Sequence, residues 1–297
     1  MKKDYLKYLA ALLIYGTNGV VASMISLNSA VITLFRSSIG ALILIIIFFI
    51  SRNKLSVFRY PKDLIFIAIS GIAMAADWLF LFEAYQQIGV SLSILINYTG
   101  PVFVIIFSPV FFKEKITPAK IIALILTLIG VALISGQIVI EGLNIRGLFC
   151  ACMSSLSYVI LVITDKLCSD VEGMENSMVQ LFFTAVTVII FVGISQGFNF
   201  TVLRTDWFPL IWLGIVNTGI GCLLYFSSII KLPAQTVAVM GYIEPLSSVI
   251  ISALILKEKM TFLQIAGAVL IIGGAIYGEI SGRRTIVNLS DSSGQDV

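Results

Sequence analysis

Long apolar runs, separated by short polar connections, recur along almost the whole chain. A run of about 20 apolar residues is long enough for a helix to cross the hydrocarbon core of a bilayer. The connections, such as SLNSA and QQIGVS, are too short to hold a soluble domain. The pattern predicts about ten transmembrane helices, with approximate limits 6–26, 30–51, 63–86, 90–112, 117–137, 145–165, 176–196, 207–230, 234–256 and 261–280.

The composition indicates the same class of protein. Hydrophobic residues make up 59% of the 297 positions and charged residues 12%, against about 45–50% and 25% in soluble domains. The predicted fold class is therefore an all-α integral membrane protein. The net charge of +3 is small and gives no indication of nucleic-acid binding.

Side chains that usually hold metals are scarce. The chain has no histidine, and none of its four cysteines forms a C-x-x-C pair. A zinc or haem site would lack its usual ligands, so the sequence predicts no metal and no cofactor. We interpret Cys150, Cys152, Cys168 and Cys222 as small buried apolar residues.

The two ends of the chain need separate interpretation. The N-terminal segment MKKDYLKYLAALLIYGTNGVVA has the basic start and apolar stretch of a signal peptide, with cleavage after Ala22 as one alternative. We interpret it as the first transmembrane helix, because its apolar region is long and contains Thr17 and Asn18. The polar segment 283–297 is predicted to be a disordered tail.

Lysine and arginine are distributed unevenly between the connections. If the N-terminus is cytoplasmic, fourteen of the 19 Lys and Arg residues fall on the inner side and four on the outer side, while Arg36 lies within a helix. Cytoplasmic connections carry the excess of positive charge in membrane proteins. The sequence therefore predicts a multi-pass protein of a bacterial cytoplasmic membrane, with both termini cytoplasmic.

Two segments of the chain are near copies of each other. The segment NYTGPVFVIIFSPVFFKEKIT matches GYIEPLSSVIISALILKEKMT at an offset of 144 residues without a gap. This offset pairs Tyr98 with Tyr242 and Pro101 with Pro245, and it also aligns the two KEK triplets. Matches of tyrosine, proline and charged residues at one offset indicate an internal duplication.

The duplication has a topological consequence. Each copy holds about five of the predicted helices, an odd number, so the second copy must cross the membrane inverted relative to the first. Inverted repeats are a feature of secondary transporters, whose substrate sites lie near the midplane on interrupted helices at matching positions of the two halves. Pro101 and Pro245 are predicted to make such interruptions.

The duplicated motif resembles the drug/metabolite transporter superfamily, in its ten-helix bacterial type with two EamA-like repeats. The resemblance lies in a proline followed by an apolar run, then KEKIT or KEKMT, then the glycine-containing helix LILTLIGVALI or LIIGGAIY. It implies a first repeat of five helices at 5–137 and an inverted second repeat at 145–280. It also implies a central cavity that opens alternately to each side, transport of small metabolites, and a peripheral position for helices 5 and 10.

Glu244 is the leading candidate for substrate or proton binding. A charge in the middle of a transmembrane helix costs about 2.5–3.5 kcal/mol on insertion scales, so such a residue normally faces protein or a water-filled cavity. At helical spacing Glu244 shares a face with Gly241, Ser248 and Ser252. Pro245 leaves the Gly241 carbonyl without its helical partner, and that carbonyl beside a carboxylate suits a cation, a proton-bearing water or a substrate amine. The alternative is a neutral, hydrogen-bonded structural group.

The first repeat has an uncharged counterpart of this face. Gly100 stands where the second repeat has Glu244. The asymmetry suggests one titratable site, with Asn97 as a neutral partner for the substrate. Tyr98 and Tyr242 lie off the two faces, and packing between helices is an equal alternative to a role in binding.

Asp77 is a second acid well within a predicted helix, on a face of mostly small residues. It is predicted to bind a proton or to select a cationic substrate, and the alternative is an ion pair or hydrogen bond with another helix. Glu83 is expected at the aqueous rim. We interpret Arg36 as structural, either extending to lipid headgroups or pairing with an acid.

Other polar, aromatic and glycine residues are weaker candidates. Those predicted to line a cavity are Asn18, Tyr15, Trp78, Tyr158 and Asn217. Asparagine equally serves as an interhelical hydrogen-bonding residue. Gly274 and Gly278 form a G-x-x-x-G pattern that serves either packing within the bundle or a dimer contact, so the sequence allows a monomer or a dimer.

These features predict a secondary active transporter, expected to be a proton-linked exporter, of small metabolites such as amino acids or related compounds. Its partners would be a small-molecule substrate, protons and the lipid bilayer, with no nucleic acid. A passive facilitator or channel is the main alternative. An intramembrane enzyme is less favoured, because the sequence offers no recognisable nucleophile or metal constellation, so we expect no catalysis.

Overall fold

The computed structural model of the protein describes residues 2–112, 118–140, 144–171, 173–229, 240–258 and 260–293. These residues form helices joined by short connections, and no β-strand occurs among them. The all-helical class that the sequence predicts is therefore confirmed for the described part of the chain.

The first repeat begins its helices with ordinary local signals. Asn28 accepts a hydrogen bond from the backbone N–H of Val31 at 3.0 Å, which caps α3. Pro61 is the first residue of α4, a position whose N–H has no hydrogen-bond partner within the helix. Gly89, with φ at 82°, separates α4 from α5. The helices are α1 (Lys2–Gly16), α2 (Asn18–Ser23), α3 (Ser29–Ile50), α4 (Pro61–Ile88), α5 (Val90–Asn97), α6 (Gly100–Phe112) and α7 (Pro118–Ile140).

The second repeat contains a π-helix within its third transmembrane segment. Asn144 caps the first helix of this repeat by accepting from the Arg146 N–H at 2.9 Å. The elements are α8 (Ile145–Lys166), α9 (Gly173–Ser195), α10 (Trp207–Trp212), the π-helix Leu213–Ile220, α11 (Gly221–Ile229), α12 (Ile243–Ile255) and α13 (Phe262–Ser293).

Several of these elements are long and apolar enough to cross a membrane. Among the described residues the five long segments are Ser29–Ile50, Pro61–Ile88, Ile145–Lys166, Gly173–Ser195 and Trp207–Tyr225. Shorter apolar helices occupy Val90–Val104, Ile121–Gly130, Ile243–Ile255 and Phe262–Gly278. They lie at the predicted fourth, fifth, ninth and tenth transmembrane helices, and α1 with α2 lies at the first.

The C-terminal segment differs from its prediction. Helix α13 continues to Ser293, whereas the sequence predicted a disordered tail from residue 283. No proline interrupts the polar segment, so the backbone hydrogen bonds of the helix can continue through it. Residues 294–297 lie outside the described part of the chain.

Both duplicated prolines follow a break in a helix. Helices α5 and α6 are separated by a turn at Tyr98 and Thr99, and α12 starts directly after a turn at Tyr242. Proline has no N–H for the carbonyl four residues earlier, so the helix is interrupted one turn before Pro101 and before Pro245. The two breaks occupy equivalent positions in the two repeats.

The repeats pack against each other along several helices. Helix α3 lies against α9, α4 against α8, α1 against α11, and α7 against α13. A Cβ atom added to Gly274 would lie 2.9 Å from the Cβ of Leu126, and one added to Gly278 would lie 2.5 Å from the Cβ of Ala123. The G-x-x-x-G glycines therefore allow α13 to approach α7 within one chain.

Carboxylates fasten the helix ends of one repeat to the other. Glu258 accepts hydrogen bonds from the backbone N–H groups of Val90 (2.8 Å) and Ser91 (3.0 Å), at the start of α5. Asp63 accepts three backbone N–H groups of the α8–α9 connection, at 2.7–3.1 Å. We call the end of the bundle at which α4 joins α5 the Gly89 end, after the glycine between these two helices. The first KEK triplet, at 113–115, lies outside the described residues.

Candidate functional site

Two side chains from two other helices meet at the buried acid of α4. Asp77 is 6% exposed. Its Oδ1 accepts a hydrogen bond from Asn97 Nδ2 at 3.0 Å and another from Ser154 Oγ at 2.5 Å. Asn97 Nδ2 also donates to Ser154 Oγ at 2.6 Å. The first repeat supplies Asp77 and Asn97 and the second supplies Ser154, so the cluster joins the two repeats.

The position of Asn97 follows from the helix break. It is the last residue of α5, directly before the turn that Pro101 imposes. The adjoining Thr99 Oγ1 lies 2.9 Å from Ser155 Oγ, which holds the turn against α8. Asp77 thus makes the hydrogen bond to another helix that the sequence analysis gave as the alternative to a binding role, and Asn97, the predicted neutral partner for the substrate, is one of its donors.

Glu244 lies at the equivalent break of the second repeat, in the first turn of α12, and is half-buried. Its carboxylate accepts a hydrogen bond from the Tyr98 hydroxyl, which comes from the break in the first repeat. The two breaks are therefore in direct contact through one polar pair. Tyr98 binds the acid, whereas Tyr242 is 8% exposed and packs in an apolar cluster with Leu95 and Ile96.

Tyrosines surround the acid. The rings of Tyr8 and Tyr225 have centroids 5.5 Å apart, and those of Tyr15 and Tyr225 are 6.0 Å apart. Glu244 lies within electrostatic range of all three and of Tyr158. Sequence reasoning identified Tyr15 and Tyr158 but missed Tyr8 and Tyr225. Tyr8 precedes Tyr15 by seven residues, a spacing that places both on one helical face and was available as a signal.

Arg36 is buried, with 5% of its surface exposed, and does not extend to lipid headgroups. Its guanidinium carbon lies 4.0 Å from the centroid of the Trp78 ring and 5.2 Å from that of Phe82. Its Nε donates to Thr218 Oγ1 at 3.2 Å. Thr218 lies in the π-helix and donates in turn to the Leu213 carbonyl at 3.0 Å, so the irregular helix orients this hydroxyl.

The remaining candidates divide into two groups. Asn217 Nδ2 donates to the Ile14 carbonyl at 2.8 Å and to Thr17 Oγ1 at 2.9 Å, at the junction of α1 and α2. It therefore holds this junction in place. The side chains of Asn18, Ser248 and Ser252 are buried, and each has an oxygen with no hydrogen-bond partner in the described part of the chain.

Glu83, which is predicted to lie at the aqueous rim, has polar partners near one end of the bundle. Its carboxylate lies 3.1 Å from Arg146 and accepts from Ser29 Oγ at 2.6 Å, near the Gly89 end. A cavity of about 230 Å³ lies beside this rim and is lined by Ala22, Ser23, Ile25, Ile32, Phe82, Tyr85 and Gln86.

Among the described residues, no group of three or more His, Cys, Asp or Glu side chains is placed to hold a metal ion. A second cavity, of about 300 Å³, is lined by apolar residues of α5, α12 and α13 such as Leu95, Val249 and Ile272. It is separate from the acids and offers no charged group.

The sequence and fold match known proteins over nearly the whole chain. The EamA-like transporter family matches twice, at residues 3–136 and 145–277. "Uncharacterized transporter YxxF" of Bacillus subtilis is 22% identical over 278 residues, which cover 91% of this chain and 87% of that protein. "Solute carrier family 35 member G1" of Homo sapiens is 21% identical and covers 73% of this chain and 62% of its own length. A solved crystal structure with 19% identity has the same fold, with a TM-score of 0.66 over 94% of this chain and 98% of its own.

Proposed function

The chain belongs to the EamA-like transporter family, and from that premise we propose that it is a secondary active transporter of small metabolites such as amino acids or related compounds. In this proposal the protein exports its substrate by alternating access and couples transport to protons. Membership of the family establishes a membrane transporter, and the substrate, direction and coupling belong to the proposal.

One observation carries this proposal. Two acids, Asp77 and Glu244, lie within the bundle, and each is hydrogen-bonded to a residue at the helix break of the first repeat. Ionisable residues within transmembrane helices are costly and mark solute or proton pathways. Transporters with inverted repeats place their sites at such breaks. The partners of both acids, Asn97 and Tyr98, are consecutive residues.

Proton coupling requires an acid whose partners change with the transport state. Glu244 accepts from Tyr98, and Arg36 is a cation within electrostatic range of it. Asp77 is a second acid within electrostatic range of Glu244. The tyrosines around Glu244 are Tyr8, Tyr15, Tyr85, Tyr98, Tyr158 and Tyr225. A cationic substrate nitrogen would compete with the proton for the same carboxylate.

The transport proposal predicts a defined metabolite change. We expect cells that express the protein to show a lower intracellular and a higher extracellular level of a small set of metabolites than cells without it. Mass spectrometry of both pools measures this. Dissipation of the proton gradient should abolish the difference. If the difference survives dissipation, a passive facilitator explains it, and if no metabolite changes, the transport proposal is wrong.

The proposed location is a bacterial cytoplasmic membrane with both termini inside, because Lys and Arg are concentrated on that side. We expect a reporter fused after Val297 to be active if it works only in the cytoplasm. A reporter that works only in the periplasm should be inactive at the same place and active when inserted after Arg204, in the exposed connection before α10. Periplasmic activity at Val297 would contradict this orientation.

A further inference from the structure

The connection between α3 and α4 carries a dense set of exposed basic side chains. Residues 51–62 contain four Lys or Arg residues and no Asp or Glu. All four are exposed, and none forms an ion pair with another side chain that the structure describes. We call the segment 51–62 the basic connection, and its cations are Arg52, Lys54, Arg59 and Lys62.

Large apolar side chains are exposed beside these cations. Phe58, directly before Arg59, is 75% exposed. Leu55 and Tyr60 are exposed as well, and each follows a basic residue. Aromatic and apolar side chains interspersed with Lys and Arg are typical of segments that lie at a membrane–water interface.

The helices on both sides place the basic connection close to the bilayer surface. It joins two segments that are long and apolar enough to cross a membrane, Ser29–Ile50 and Pro61–Ile88. The exposed side chains of Ile50 and Ile65 continue the apolar surface of these segments up to the connection. A short connection between two membrane-crossing helices stays near their ends, so its cations lie at the depth of the lipid headgroups.

Hydrogen bonds to the second repeat hold the backbone of the basic connection in place. The Glu175 carboxylate, at the start of α9, accepts from the N–H and Oγ of Ser56 and from the N–H of Val57, at 2.5–2.8 Å. Val57 is buried and begins the 3₁₀-helix Val57–Arg59. Because this backbone is already ordered, the exposed side chains bind a partner at a lower cost in conformational entropy.

We propose that the basic connection is a docking surface for the anionic headgroups of phospholipids in the surrounding bilayer. Its Lys and Arg side chains bind the headgroup phosphates, while Leu55 and Phe58 enter the boundary of the acyl chains. A soluble anion would account for the cations but not for the exposed apolar side chains between them. The neighbouring α8–α9 connection has an exposed acid, Asp170, but Lys166 is exposed beside it, so this side of the bundle keeps its positive charge.

Photoactivatable phospholipids test this surface. The full-length protein is reconstituted in phosphatidylcholine nanodiscs that contain a small fraction of photoactivatable phosphatidylglycerol or phosphatidylcholine with the same acyl chains, and mass spectrometry identifies the labelled peptides. We expect phosphatidylglycerol to label residues 51–62 about tenfold more than phosphatidylcholine does, because each Lys or Arg near an anionic membrane surface strengthens binding several-fold. The double variant Arg59→Gln/Lys62→Gln should lower this labelling toward the level of phosphatidylcholine.

The matched control is Arg204→Gln/Lys257→Gln, which removes one Arg and one Lys from exposed positions in two other connections. It should leave the labelling of residues 51–62 unchanged. Elution as a single species, with the melting temperature of wild type in phosphatidylcholine, shows that each variant is folded.

Three results would overturn the proposal. Equal labelling of residues 51–62 by both lipids in wild type would mean that the connection contacts lipid without regard to charge, and this comparison needs no variant to fold. Undiminished phosphatidylglycerol labelling in Arg59→Gln/Lys62→Gln would show that these cations do not bind the headgroup. Loss of labelling on addition of inorganic phosphate at the lipid concentration would assign the site to a soluble anion. No transported solute is needed, so the result is independent of the proposed transport function.

Discussion

Replacement of Glu244 by glutamine is expected to abolish proton-driven transport while the protein is still inserted normally. Glutamine keeps the size of the side chain and can still accept a hydrogen bond from Tyr98, but it cannot take up and release a proton. A hydrogen bond to a charged group contributes roughly 1.5–3 kcal/mol against roughly 0.5–1.5 kcal/mol for a neutral one, and each ~1.4 kcal/mol is a factor of ten. We therefore expect transport to fall by about tenfold or more and its residual rate to become independent of pH. Solute flux in proteoliposomes at several external pH values measures both effects.

Two further variants show whether the effect depends on an acid at position 244. Glu244→Asp retains an acid and should retain a pH response at a reduced rate, because the shorter side chain moves the carboxylate away from Tyr98. Asp170→Asn removes an exposed acid in the α8–α9 connection and should leave transport unchanged. A Glu244→Gln protein with the rate and pH profile of wild type would show that Glu244 has no part in proton coupling.

The Gly100→Ala variant is expected to destabilise the protein. A Cβ atom at this position would lie 2.8 Å from Cδ1 of Tyr158 and 3.1 Å from the backbone oxygen of Ser155. The neighbouring backbone of α8 cannot move away without disturbing the Thr99–Ser155 contact. Overpacking of this kind costs typically ~1–3 kcal/mol. The apparent melting temperature of the detergent-purified protein should fall by several degrees.

Gly273→Ala is the matched control, since no described atom outside its own stretch of helix lies within 4 Å of a Cβ added there. Alanine is favoured over glycine in a helix by about 1 kcal/mol, so this variant should be as stable as wild type or more stable. A Gly100→Ala protein with an unchanged melting temperature would mean that α8 packs less closely against α6 than the structure describes.

The Gly100 contact also explains an asymmetry of the two repeats. At this position only the second copy has an acid, Glu244, and the sequence offered no reason for glycine in the first copy. In the structure the first copy packs so closely against α8 at this point that a side chain does not fit. The equivalent place in the second copy is open enough for a carboxylate that faces tyrosines.

The direction of the Arg36 side chain in the structure also differs from one that its place in the sequence suggests. The sequence showed a cation close to the end of a transmembrane helix, where such residues commonly extend to the headgroups. Whether the side chain turns outward or inward depends on the aromatic rings that accept it. Trp78 and Phe82, on the neighbouring helix α4, provide that surface inside the bundle.

The sequence by itself determined the helical membrane architecture, the duplication and the interrupted helices at Pro101 and Pro245. These properties depend on local hydrophobicity and on the missing N–H of proline, and both can be located directly in the sequence. Only the tertiary structure decided that Asp77, Asn97 and Ser154 share hydrogen bonds and that Tyr98 reaches Glu244. Those contacts join residues from different helices, and their distances depend on how closely the helices approach, which no periodicity in the sequence specifies.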